Sequence, residues 1–159
     1  MTKASVLIIE DNETKRLKIG QALPPGFGTP AWAQSIAQAY RLIQTKAWNL
    51  IILDMTFHVA HSPGHDGEKE SLAGIEVLQF LTRRRIKVPV VVATQHASFS
   101  NADIPGIDSI QALDRLLSKL FPDNYCGTVA VDPSEESWKV DLQKAVARAL
   151  GGWGKCESY

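Results

Sequence analysis

Four segments of this 159-residue chain end a run of apolar residues in a side chain able to do chemistry. Glu10-Asp11 follow Val6-Leu7-Ile8-Ile9, Asp54 follows Leu50-Ile51-Ile52-Leu53, Thr94 follows the run from Val88 to Ala93, and Asp132 follows Thr128 to Val131. Carboxylates gathered in one place repel one another and call for a counter-ion. A hard divalent cation such as Mg2+, held by one or two carboxylates, a backbone carbonyl and waters, answers that need. Beside such a cation, the Thr94 hydroxyl is placed to bond an oxygen-rich group. All of this requires that the segments lie side by side with their carboxyl ends together.

The hydrophobic pattern supplies that arrangement. Val6–Ile9 and Leu50–Leu53 are continuously apolar, as parallel strands buried on both faces are. Thr29 to Ala33 reads as a weaker second strand, Val88 to Ala93 as a fourth and Thr128 to Val131 as a fifth. Helical periods lie between them. One begins near Glu13, capped by Asp11 or Asn12, and stops before Pro24-Pro25; a second is capped by Ser35 and carries Ile36, Tyr40, Ile43 and Ala47. Ile75, Leu78 and Ile86 mark a third, and Ile110, Leu113, Leu117 and Leu120 a fourth. The last is capped by Ser134, carries Trp138, Leu142, Val146 and Leu150, and ends at Gly151-Gly152. Strands alternating with helices imply an α/β fold, an open parallel sheet with helices on both faces, whose ligands bind beyond the carboxyl ends of the strands.

Composition narrows the function. Lys and Arg number 17 against 17 Asp and Glu, which disfavours direct nucleic-acid binding or attachment to an anionic membrane. A hydrophobic fraction of 45% argues against disorder. Residues 1–150 read as one domain and 151–159 as a flexible tail. Cys126 and Cys156 form no metal-binding motif and are expected to be reduced thiols. The short Met1–Ser5 stretch has no signal-peptide character, and no segment approaches the ~20 apolar residues of a membrane span. A cytoplasmic location is therefore expected.

Taken in order, Val6–Asn12, Trp48–Met55, Gly74–Leu78, Pro89–Thr94 and Gly127–Pro133 resemble the successive motifs of response-regulator receiver domains. The resemblance covers about residues 4–150. It implies a flavodoxin-like, doubly wound sheet of five parallel strands in the order 2-1-3-4-5. It further implies a phosphorelay module rather than an enzyme. Asp54 would be the phosphoacceptor, with Mg2+ held by Glu10, Asp11, Asp54 and the backbone carbonyl of Thr56, and Thr94 would be the switch hydroxyl. The implied partners are a sensor histidine kinase or phosphotransfer protein and an effector protein, reached by protein contact, a homodimer being one form that contact takes. No output domain follows residue 150 in this sequence, so a stand-alone module is expected.

The chain departs from the family in three places. Asp132 stands where receivers carry a lysine that pairs with the phosphoryl oxygens, and Val129 stands at the aromatic switch position. Asp132 is expected to add to the acidic cluster and to disfavour the phosphorylated state, with Lys119 or Lys139 as candidate substitute cations. An insertion at about 58–72 contains His58, His61, His65, Asp66, Glu68 and Glu70 and is placed to act as a lid; its histidine spacing also allows Zn2+ on a helix, although its Pro and Gly favour a solvated loop. The link between strands four and five, from Gln95 to Tyr125, is long and adjoins the face through which receivers usually signal. The lost lysine keeps a second reading open, a phosphorylation-independent binding scaffold. A Mg2+-dependent hydrolase is disfavoured, because Thr56 occupies the place of the second aspartate such enzymes need.

Overall fold

A computed structural model describes residues 3–55, 73–95, 109–132 and 134–155. Its sheet comprises β1 (Val6–Ile9), β2 (Ala31–Ala33), β3 (Leu50–Leu53), β4 (Val90–Thr94) and β5 (Tyr125–Ala130), all parallel, in the order β2-β1-β3-β4-β5. The expected strand order is thus the observed one. Between and after the strands run α1 (Glu13–Ala22), α2 (Ile36–Ile43), α3 (Ala73–Arg83), α4 (Ile110–Leu120) and α5 (Ser137–Lys155).

Two apolar layers explain why the central strands are apolar throughout. Successive side chains of a strand point to opposite faces. Leu7, Ile9, Ile51, Leu53, Val90 and Val92 join Ala39 and Ile43 of α2, Val77, Leu78 and Leu81 of α3 and Leu113 and Leu117 of α4 in one core. Val6, Ile8, Leu50, Ile52, Val91 and Ala93 join Ile19 and Ala22 of α1 and Trp138, Leu142 and Val146 of α5 in the other. Trp138 therefore faces the sheet, and its indole nitrogen donates to the Glu135 carbonyl at 3.0 Å. The buried Asn124 ties the start of β5 to the β4 approach by donating to the carbonyls of Ile86 and Val88 at 2.8 and 3.0 Å.

Several boundaries differ from the sequence pattern, each for a local reason. β2 starts after Pro30 and β4 after Pro89, since proline has no N–H for the ladder; the Pro89 carbonyl still accepts from the Ile51 amide at 3.0 Å. β5 begins at Tyr125 rather than Thr128, because a bulge between Val90 and Val91 shifts their partners from Tyr125 to Gly127. Gly127 holds φ +146° there, a conformation that suits glycine. Ser134 does not cap the last helix: its amide and hydroxyl both donate to Asp132 Oδ1, at 3.0 and 2.6 Å, and α5 begins at Ser137. That helix also continues through Gly151-Gly152 to Lys155. Among the described residues no helix is long and apolar enough to cross a membrane.

Candidate functional site

The register of the sheet brings the acidic strand ends together. Ile9 pairs with Leu53, so Glu10 and Asp54 leave adjacent strands at the same edge, and the Asp54 amide donates to the Ile9 carbonyl at 3.0 Å. The Glu10 amide is tied to the Ala33 carbonyl of β2 at 3.0 Å. Glu10, Asp11 and Asp54 each offer a carboxylate oxygen, and these oxygens lie within 4.8 Å of one another. Glu10 and Asp54 are buried and Asp11 is partly exposed. This is a hard-oxygen donor set open on one side, and it fits a divalent cation of the Mg2+ kind. Thr56, expected to lend a carbonyl, lies outside the described residues.

A cation lies within this cluster. Lys15 Nζ lies 2.8 Å from Glu10 Oε2 and 3.2 Å from Asp54 Oδ1, with side-chain exposures of 5%, 2% and 5% for Lys15, Glu10 and Asp54. Asn12 seats it. The Asn12 side chain caps α1 by accepting from the Lys15 amide at 2.9 Å, while the Asn12 amide donates to Glu10 Oε1 at 3.1 Å. Burial pushes the Glu10 carboxyl up to about 8, against the pull of the Lys15 ammonium and with repulsion from Asp54 added. Next to Lys15, Arg16 stacks on Trp32, its guanidinium carbon 3.9 Å from the ring centroid. α1 thus turns two basic side chains inward, and so its buried face is not a simple apolar stripe.

Thr94 ends β4 at the same edge of the sheet. It is fully buried, and its hydroxyl has no hydrogen-bond partner among the described residues. Asp132 corrects the sequence expectation. Its carboxylate is exposed and is occupied by Ser134, whose hydrogen bonds hold its pKa below the usual carboxylate range. It does not join the carboxylate cluster found among the described residues. Lys139 is no substitute cation for the pocket, since it pairs with Glu136 at 2.7 Å; Lys119 sits in the last turn of α4. The His58, His61 and His65 group, with the lid and Zn2+ readings attached to it, lies outside the described residues, as does 96–108 of the long link. The remaining part of that link borders a concavity of about 750 Å3 between α4 and β5, lined in part by Asp114, Arg115, Tyr125, Thr128 and Arg148.

The pattern of strand ends identified the acidic residues and missed Lys15. One signal was present: a lysine in the first turn of a helix opposes the helix dipole, whose N-terminal end favours anions. A cation held there needs carboxylates nearby.

No protein-family model matches the sequence. The Detocs response regulatory protein DtcB of Enterobacter cloacae (strain JD6301) is 26% identical over 147 residues, which is 89% of this chain and 97% of that protein. Among solved structures, the signal receiver domain of an HD domain-containing protein from Pseudomonas fluorescens Pf-5 superposes with a TM-score of 0.61 at 15% identity, covering 97% of this chain and 99% of that one. The receiver domain of the response regulator NarL from Mycobacterium tuberculosis gives a TM-score of 0.60 at 20% identity, covering 96% and 99%. At these identities the two structures speak to the fold.

Proposed function

We propose, from the premise that this chain is a response-regulator receiver domain, that it is a phosphoacceptor module of two-component signalling with Asp54 as the acceptor. The observation that carries this is the buried Asp54 carboxylate at the end of β3, grouped with Glu10 and Asp11 and faced by an ammonium. In transfer from a phosphohistidine, an Asp54 oxygen bonds to phosphorus as the phosphorus–nitrogen bond breaks. The electron pair stays on the imidazole, which takes up a proton. Glu10, Asp11, Asp54 and the Thr56 carbonyl would hold Mg2+. When bound, it offsets charge on the phosphoryl oxygens. Thr94 supplies a hydroxyl that needs an acceptor, and a phosphoryl oxygen on Asp54 provides one.

The partners fitting this role are a histidine kinase or phosphotransfer protein on the input side and an effector on the output side, in the cytoplasm. The α4–β5 face, with Arg115 and Arg148 beside its concavity, is the proposed contact surface. Incubation with Mg2+ and acetyl phosphate, read by intact mass, is expected to add one phosphoryl group to the wild type and none to Asp54→Asn. An unlabelled wild type overturns the acceptor role. Asp132 in place of the family's lysine favours a second reading, a binding scaffold independent of phosphorylation. That reading expects Asp54→Ala to leave partner affinity unchanged, and a large loss would exclude it.

A further inference from the structure

We propose that Lys15 is the resident cation of the acidic pocket, supplying from α1 the counter-charge that receivers draw from a lysine after the last strand. This deepens the acceptor role of Asp54 and rests on it. The position after β5 holds Asp132, whose carboxylate is exposed and bonded to Ser134, so neither cation nor anion enters the pocket from there. Lys15 comes instead from the first turn of the helix that follows β1. Its ammonium lies within ion-pair distance of both buried carboxylates.

Two physical costs weigh against that placement: burial strips water from an ammonium, and the first turn of a helix repels a cation. Among the described residues the facing carboxylates of Glu10 and Asp54 offset them, so the charge of the pocket holds Lys15 where the packing of α1 turns it inward. An ammonium carries three donors on a flexible stem. A phosphoryl oxygen attached to Asp54 therefore falls within its reach while its contact with Glu10 is kept. The same charge opposes entry of a divalent cation, which must share Glu10 and Asp54 with it.

The test compares wild type, Lys15→Met and Lys15→Arg by Mg2+ titration followed through backbone amide NMR shifts, and by acetyl phosphate labelling. Lys15→Met is expected to bind Mg2+ about tenfold more tightly, because one positive charge beside the ligands is gone. Its labelled fraction is expected to fall about tenfold, and Lys15→Arg to recover labelling. If Lys15→Met binds Mg2+ no better than wild type, or neither binds it, the inference is overturned. Where the wild type takes label, labelling of Lys15→Met at the wild-type level also overturns it. A wild type that takes no label, alongside tighter Mg2+ binding by Lys15→Met, overturns the acceptor role and supports the resident cation. Should Lys15→Met not fold, the lysine ammonium resonances of the wild type decide: Lys15 is expected to exchange its protons far more slowly than exposed lysines. Exchange as fast as theirs overturns the inference.

Discussion

Thr94 is a buried hydroxyl without a partner among the described residues, an unusual state for a group that loses its hydrogen bonds to water on burial. Thr94→Val removes the hydroxyl and keeps the shape. Its unfolding free energy, measured in urea, is expected to be unchanged or raised by about 1 kcal/mol. In the same variant, the amide shift of Val131 on addition of Mg2+ and beryllofluoride is expected to shrink, since the Val131 amide donates to the Thr94 carbonyl at 2.9 Å. At this scale the sequence was informative where chemistry follows directly from chain order. Glu10, Asp11, Asp54 and Thr94 could be named because each stands at the carboxyl end of an apolar run. Lys15 could not, because the face of α1 that turns inward depends on packing against the sheet. Asp132 was misplaced for the same reason: a strand end gives an address, and the side-chain bond to Ser134 gives the direction.

At the scale of elements, the seat of α3 on β3 fixes the backbone of Asp54. The Gly74 amide donates to the Met55 carbonyl at 2.9 Å. A Cβ on Gly74 would lie 2.9 Å from the Asp54 carbonyl oxygen, the Met55 Cα and the Met55 Cε, two of them backbone atoms that cannot swing aside. Gly74→Ala is therefore expected to push the end of β3 away from the helix and to cost about 1–3 kcal/mol in urea unfolding. Labelling of Asp54 is expected to fall with it. The sequence revealed β1 and β3 to the residue, since both faces of those strands are covered and every position is apolar. It placed β5 late because that strand is only half-buried, contains polar residues and opens with a bulge. It started the last helix early because a serine bonding back to Asp132 has the same local sequence as a helix cap.

For the whole molecule, equal numbers of acidic and basic residues conceal one titration that bears on stability. Glu10 rises from an ordinary 4.5 to about 8 in the folded chain, burial being the main cause. Between those two values the folded state binds more protons than the unfolded chain. The resulting stabilisation is full below 4.5 and is lost as pH rises through about 8. In a chelator, urea midpoints of the wild type are expected to fall between pH 5 and pH 8, by on the order of a few kcal/mol in stability. Glu10→Gln is expected to flatten that slope, and an unchanged slope would place the titrating group elsewhere. The position of Lys15 has a consequence of a different kind, for the order in which the pocket assembles. Glu10, Asp11 and Lys15 fall within residues 10–15, so their attraction costs little chain entropy to bring about. A cation after β5 would arrive only when the edge strand had closed a loop spanning most of the chain. Here the charge is compensated once the first strand–helix unit meets β3, so the folding of β5 is released from the electrostatics of the pocket.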